Sequence, residues 1–459
     1  MAPVLRPRKT FDIILPAGGA PLPEPGRTVP LSPFDAYWVT LPPVRRVFLY
    51  RSPPSLLPFT DIVSALRSSL ERVLPAFHPF AGVLTYSPDT HALSIVLPEG
   101  EEGACSVAFV EAETDLDFDR LVEEYDEDAL RQLAPDIRRD ELPAPVMAAQ
   151  VTEFVGGGGG VAVGVAVHHS VADGRGLWRF LEMWSATAAG LKEGRVWAGP
   201  DPLHDRRLVR FDGDDDLARL FLQQLAPDFP RVAPKQEAAP ERKRLLKRQT
   251  FTFSASAVQR LKQRLAADAN TGTTPSTFAV MAAHGWVSIA RAKGFTDDTP
   301  VFAAFLADLR AHMSPLVPGA YVGNCLAFCT ASLRGSELAG PDGPAMALLA
   351  IQEAVAEVKR DPLGDRSRWC TKFAAIPPGR AVILAGSPWF PAYGVDFGFG
   401  KPARVELASM NHDGEMVLVA GREPGSVQAT VAIAADKMLA FRGMFELERD
   451  RVCGGGASV

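Results

Sequence analysis

Val161-Ala162-Val163-Gly164-Val165-Ala166-Val167, followed by His168-His169-Ser170-Val171-Ala172-Asp173-Gly174, is the stretch whose reading decides the fold. An unbroken run of small and β-branched apolar residues fits a strand buried on both faces. Gly174 to Leu191 then carries Leu177, Phe180, Leu181 and Trp184 on one helical face. A buried strand, a tight turn and an amphipathic helix in succession are the unit of an α/β layer. The turn between them holds His169, with Asp173 four residues on and Gly174 after it. An imidazole has an ordinary pKa close enough to neutrality to take a proton and return it.

Working outward, the same alternation covers both halves. Strands are expected at Phe11 to Leu15 and Val47 to Tyr50, and a helix over Phe59 to Leu74 with Ile62, Leu66 and Leu70 on its apolar face. His78 to Leu84 ends that helix and starts a strand, whose hairpin partner is Ala92 to Leu97. Val146 to Phe154 pairs with Val161 to Val167 across the glycine loop Gly156 to Gly160. In the second half, strands are expected at Gln249 to Phe253, Val301 to Leu306, Ala381 to Leu384, Met416 to Leu418 and Gln428 to Ile433. Ser254 and Ser276 read as helix N-caps, the latter opening Thr277 to Ala292. Between the halves, residues 192–245 carry prolines, the acidic run Asp214 to Asp216, one helix at Leu217 to Leu225 and a basic cluster at Arg242 to Arg248. This reads as a crossover. The expected organisation is a domain at 1–195 carrying the His-x-x-x-Asp motif, a linker at 196–245, and a domain at 246–459.

Composition narrows the function. The chain has 459 residues, 47% of them hydrophobic and 22% charged. That length exceeds one ordinary core and suggests two domains of about 200 residues each. A net charge of −6 gives no basic face for nucleic acid. Met1 to Lys9 lacks the apolar core of a secretory signal, and no apolar run approaches the roughly 20 residues that span a bilayer. Five cysteines without a Cys-x-x-Cys pair are expected to be reduced thiols in a cytoplasmic protein. The tail Cys453 to Val459 is not a prenylation box, and no metal site is expected.

A second motif lies far downstream: Asp396-Phe397-Gly398-Phe399-Gly400-Lys401-Pro402. It contains the Asp-Phe-Gly of protein kinases, but their phosphate loop and His-Arg-Asp loop are missing. Paired with His-x-x-x-Asp-Gly near residue 170, it resembles the plant BAHD acyltransferases, which use acyl-coenzyme A, and the resemblance covers the whole chain. Supporting pieces fall in the family's order: Leu31-Ser32-Pro33-Phe34-Asp35, then Ala76-Phe77-His78-Pro79-Phe80-Ala81-Gly82, then Thr274-Pro275-Ser276-Thr277-Phe278. Tyr321-Val322-Gly323-Asn324-Cys325 and Asn411-His412-Asp413-Gly414-Glu415-Met416 resemble the branch that acylates flavonoid and other phenolic glycosides, often with malonyl groups. One departure is plain: the family's tryptophan in the second motif is Phe399 here, so an indole N–H is missing.

The resemblance implies two similar-sized α/β domains of the chloramphenicol-acetyltransferase-like type, with mixed sheets and an active-site channel between them. It implies His169 as general base, no acyl-enzyme and no permanently bound cofactor, with acyl-coenzyme A (malonyl favoured) as co-substrate and a phenolic glycoside as acceptor. The missing Gly-x-Ser-x-Gly elbow agrees with direct transfer. Asp173 could complete a triad, or hold its loop through an arginine; the family favours the second, with Arg310 as the partner. Asp396, Gly398 and Gly400 would shape their own loop, as Gly174 shapes the first. Ser276 and Thr277 would meet coenzyme A, or serve as a plain N-cap. Arg175 is the candidate for a malonyl carboxylate, by position alone. A monomer is expected. Competing readings are a hydroxycinnamoyl-coenzyme A O- or N-acyltransferase, a peptide-synthetase condensation domain, which shares His-His-x-x-x-Asp-Gly, and a non-catalytic acyl-coenzyme A-binding protein of the same fold.

Overall fold

The computed structural model describes residues 5–15, 27–51, 58–97, 106–156, 158–190, 197–233, 245–364, 366–410 and 412–450, the last four without side-chain detail. Asn411, parts of the 192–245 crossover and the Cys453 to Val459 tail lie outside them. Sixteen strands are described. They run β1 (Leu5–Ile14), β2 (Thr28–Pro30), β3 (Val44–Arg51), β4 (Val83–Ser87), β5 (Ala92–Val96), β6 (Ser106–Thr114), β7 (Ala144–Pro145), β8 (Met147–Phe154) and β9 (Gly160–Val167) in the first part of the chain. Then follow β10 (Leu246–Phe253), β11 (Pro300–Asp308), β12 (Leu326–Arg334), β13 (Ala381–Gly386), β14 (Arg404–Leu407), β15 (Glu415–Ala420) and β16 (Val427–Ala434).

The chain forms two compact α/β units. The first holds a six-stranded mixed sheet in the order β1-β6-β8-β9-β3-β14 and a smaller sheet, β2-β5-β4-β7. As expected, β9 is buried along its whole length. It pairs antiparallel with β8 on one side and β3 on the other, and Val167 stands opposite both Met147 and Val44. The helix Gly174–Gly190 follows, burying Leu177, Phe180, Leu181 and Trp184. Trp184 donates its indole N–H to Leu66 O and Ser69 Oγ on the helix Phe59–Val73, so the two helices are pinned by polar bonds as well as apolar contact.

The second unit holds the sheet β10-β16-β15-β13-β11-β12, with β13 parallel to both β11 and β15. Its core closes on the helix Thr277–Ala292, buried on nearly every side from Ala279 to Ala292. A helix apolar all round belongs inside a core rather than on its surface.

One expectation needs correction. The first unit comprises Met1–Glu237, Met313–Cys325 and Tyr393–Ser409; the second comprises Ala238–His312, Leu326–Ala392 and Met410–Val459. The chain therefore does not pass once from one domain to the next at 196–245. The physical reason is strand pairing: β14 runs antiparallel to β3, with Val405 opposite Phe48 and Glu406 opposite Val47. That ladder places the Asp396 to Gly400 motif in the first unit rather than in the second half's domain.

Candidate functional site

The ladder of β9 ends where His168 N–H donates to Val146 O. A turn follows, closed by Val171 N–H to His168 O, and His169 sits at its first corner. His168 is buried and faces inward: its Nδ1 accepts from Ser170 N–H, and burial, then the neighbouring His169 and Arg139 charges, push its pKa down to about 3. No hydrogen bond or ring contact among the described residues joins the two imidazoles. His168 instead acts as a neutral strut under the turn.

His169 is half-buried. Trp38 stacks on its ring, with centroids 4.2 Å apart and planes 24° from parallel. Burial lowers the His169 pKa, against opposing contributions from its own carbonyl, Asp173, Asn324 and Asp35. The ring is therefore neutral near pH 7 and carries one free lone pair.

Asp173 is buried, and it does not hydrogen-bond to His169. Its Oδ1 accepts from Gly176 N–H at 3.0 Å and its Oδ2 from Cys325 N–H at 3.3 Å, while its carbonyl accepts from Leu177 N–H. It caps the helix Gly174–Gly190 and ties it to the 321–325 segment. Gly174 begins that helix without a left-handed φ. The steric need for glycine falls two residues later: a Cβ on Gly176 would stand 2.1 Å from Val322 O. Arg175 is exposed and reaches Gly319.

Sequence reading missed what surrounds the turn. Asp35 lies in the short helix Pro33–Ala36, in a capping box with Ser32. It is fully buried and accepts five hydrogen bonds: Oδ2 from Ser32 N, Ser32 Oγ and Arg206 Nε, and Oδ1 from Asn324 N and Asn324 Nδ2. Arg206 comes from the 3-10 turn Arg206–Val209, inside the stretch read as crossover. Its Nη2 donates to Val171 O at 2.7 Å, Nη1 donates to His204 O, and its guanidinium lies over the Tyr321 ring. Burial works against this cation, but Asp35, together with Tyr321 and Asp173, outweighs that cost, so the Arg206 pKa is raised. Asn324 also donates from Nδ2 to the backbone carbonyl of His169 at 2.9 Å. The signals that could have found these residues were present: Leu31 to Asp35 and Tyr321 to Cys325 had been singled out as motifs, though without a reason for them to meet.

The second motif is a self-contained loop. Asp396 Oδ1 accepts from Gly398 N–H at 2.8 Å and Gly400 N–H at 2.9 Å. Both glycines hold left-handed φ, +96° and +98°. Phe397 is buried against Trp184, and Tyr50 donates its hydroxyl to Val395 O. Phe399 meets Tyr50 edge-on at 4.8 Å, so the ring that stands for the family's tryptophan still packs.

Ser276, Thr277 and Arg310 lie in the second unit. Ser276 Oγ accepts from Ala279 N–H and caps the helix that Thr277 starts. Beside it opens a cleft of about 440 Å³ lined by Ser276, Phe305, Asp308, His312, Gln352 and Lys359. Arg310 is buried and its Nη1 donates to Asp308 Oδ1. No described helix is long and apolar enough to cross a membrane.

With this geometry in hand, comparison with known proteins decides the family. The model described as the transferase family matches residues 11–448. The chain belongs to the BAHD transferase family. Like its BAHD relatives it is an acyltransferase, of the class that moves groups other than aminoacyl groups. It is 28% identical over 422 residues to phenolic glucoside malonyltransferase 1 of Arabidopsis thaliana, covering 87% of this chain and 88% of that one. It is also 28% identical to the malonyl-coenzyme A:anthocyanin 3-O-glucoside-6''-O-malonyltransferase of Dahlia pinnata, covering 91% and 93%. Among solved structures, vinorine synthase superposes with a TM-score of 0.71 at 20% identity, over 95% of this chain and 96% of that one. That likeness establishes the BAHD fold of two mixed α/β domains.

Proposed function

We propose that this enzyme moves an acyl group, malonyl in preference, from coenzyme A to a hydroxyl of a phenolic or flavonoid glycoside, with His169 as the general base. The observation that carries the reading is the state of His169: neutral by burial, held flat by Trp38, and partly accessible at the end of a buried strand. Its free ring nitrogen takes the proton of the acceptor hydroxyl as that oxygen attacks the thioester carbonyl. The tetrahedral oxyanion collapses, the carbon–sulfur bond breaks, and the thiolate leaves with the proton that His169 returns. A thioester is already activated, so no acyl-enzyme is required. Asp173, Gly174, Asp396, Gly398 and Gly400 act by holding loops. Arg310 belongs to the same positional set.

Coenzyme A would meet the second unit at the cleft beside Ser276 and Thr277, where a helix N-terminus and Lys359 favour anionic groups. Arg175, exposed, would receive a malonyl carboxylate. The enzyme would act as a cytoplasmic monomer. The malonyl preference is supported by the names of the relatives above. A coumaroyl donor is the second reading, supported by 28% identity over 442 residues to an anthocyanidin 3-O-glucoside-6''-O-coumaroyltransferase of Arabidopsis thaliana.

The test is thiol release from malonyl-, p-coumaroyl- and acetyl-coenzyme A with a flavonoid glucoside, beside His169→Ala. Release with malonyl that the variant loses supports both base and donor. Release with coumaroyl alone overturns the donor and keeps the base. Full turnover by His169→Ala overturns the base.

A further inference from the structure

The bond from Val171 N–H to His168 O leaves His169 and Ser170 as the central residues of a tight turn. Two carbonyls of that turn are held by side chains far away in sequence. His169 O accepts from Asn324 Nδ2 at 2.9 Å, and Val171 O accepts from Arg206 Nη2 at 2.7 Å. Both donors are anchored on one carboxylate. Asn324 Nδ2 also donates to Asp35 Oδ1 at 2.9 Å, and Arg206 Nε donates to Asp35 Oδ2 at 3.2 Å. A cation that only neutralised Asp35 could be a single ammonium. Arg206 instead uses the guanidinium fork on three separate acceptors, the third being His204 O, met by Nη1 at 3.0 Å. The fork is also packed in place. It lies over the Tyr321 ring, and a Cβ on Gly323 would stand 2.8 Å from Arg206 Cζ. At 4% exposure Arg206 is closed off from any substrate.

We propose that Arg206 is a positioning residue for acyl transfer: it holds Val171 O in fixed relation to Asp35, and so sets where the turn presents His169. This rests on His169 being the base. The turn is tied at its entry by His168 N–H to Val146 O and at its exit by Leu177 N–H to Asp173 O. Val171 lies between those ties, and Arg206 supplies the side-chain bond to its carbonyl. Trp38 fixes the plane of the imidazole, but the backbone beneath decides where that plane stands. A base must meet the acceptor hydroxyl within about 2.6–3.2 Å, and a displacement of about 1 Å can cost roughly 10²-fold in rate. Asp35 is the shared anchor. Through Arg206 it reaches Val171 O, and through Asn324 it reaches His169 O, so both carbonyls keep one spacing.

Arg206→Ala strands the Asp35 charge and can fail simply by unfolding, so the deciding variant is Arg206→Lys in the full chain. Lysine keeps a cation for Asp35 but cannot span the three acceptors. Its urea midpoint is expected to lie nearer wild type than that of Arg206→Ala. Its kcat per folded molecule, with the folded fraction taken from near-ultraviolet circular dichroism, should still fall about 10-fold or more. KM for both substrates should change less than about threefold, because the lost interaction places the base rather than the substrates. A second variant removes both charges together: Asp35→Asn with Arg206→Met keeps an amide oxygen for Asn324 and leaves no ion stranded. It should fold and show the same low kcat, and it takes the place of the lysine variant should that one not fold. Wild-type kcat in either folded variant would overturn the proposal. So would a kcat that simply follows the urea midpoint across the variants, which is what a merely structural role gives. A KM raised about 10-fold with kcat kept would overturn it as well. Failure of the underlying reading looks different: His169→Ala would then turn over normally, whatever Arg206 does.

Discussion

Arg206 Nε donates to Asp35 Oδ2 at 3.2 Å across 171 residues of chain, and both side chains are buried. Removing one partner leaves the other as an uncompensated buried charge, which costs about 3–5 kcal/mol. Arg206→Ala and Asp35→Ala are each expected to lose that much in urea unfolding. The double variant should lose clearly less than the sum, because the stranded charge is then gone. Single losses below about 1 kcal/mol would show that the pair behaves as if solvated.

Trp38 covers one face of His169. In Trp38→Ala, water reaches the ring and the burial that lowers its pKa is relieved. The acid limb of kcat/KM should therefore move to higher pH, and turnover at neutral pH should fall by about 10-fold or more as the ring loses its fixed plane. Trp38→Phe should keep most of both. An unmoved limb in the alanine variant would remove Trp38 from the account.

The Asp396 loop is expected to report through stability. Gly398 combines φ +96° with a Cβ position 3.2 Å from Ala189 Cα. Gly398→Ala should cost more than about 1 kcal/mol, and Asp396→Asn less, because the amide oxygen can still accept from the same two N–H groups. Thermal unfolding with each variant decides this. Equal midpoints for wild type and Gly398→Ala would contradict the strained loop.

Acid should weaken the first unit through its buried histidines. His78 is pushed down to about 4, first by burial and then by the Arg206 charge, and its ring meets His204 at 4.8 Å. The folded pKa lies below the unfolded value near 6.5, so the unfolded chain binds more protons between about pH 6.5 and 4. The stabilisation is complete above pH 6.5 and lost as pH falls through that window, by roughly 1 kcal/mol per pH unit for one such group. His168, at about 3, extends the trend to lower pH. Urea unfolding from pH 7 to 4 should show stability falling with pH, and a folded His78→Gln should show a shallower slope. An unchanged slope would mean that His78 takes up no proton on unfolding.

The elements most legible in sequence were those whose periodicity is set by burial. The Val161 to Val167 strand, the helix after Gly174 and the Ser276 cap came through because each is written in consecutive residues. The double-glycine loop after Asp396 was equally local. Its place was not, since pairing β14 with β3 depends on which backbone edge lies open. Asp35, Arg206 and Asn324 could not be joined from sequence for the same reason. Each is an ordinary polar residue in its own neighbourhood, and only the closed fold shows that one carboxylate serves the other two. The stretch containing Arg206 was read as a linker because its composition is polar, yet a polar composition also suits a segment that supplies one buried cation.

The division of the chain between its units has a consequence for synthesis. The first unit begins at the amino terminus but takes in Met313–Cys325 and Tyr393–Ser409. A ribosome releases domains in order, and an amino-terminal domain ordinarily folds while the rest is being made. Here the turn cannot receive Asn324 until 324 residues have been made, nor the sheet around His169 add its β14 edge until Leu407 has emerged. The early chain must wait with an open strand edge at β3, the kind of surface on which other chains add. Any product that stops short of β14 would leave that edge of β3 open, so such shortened translation products should be prone to associate.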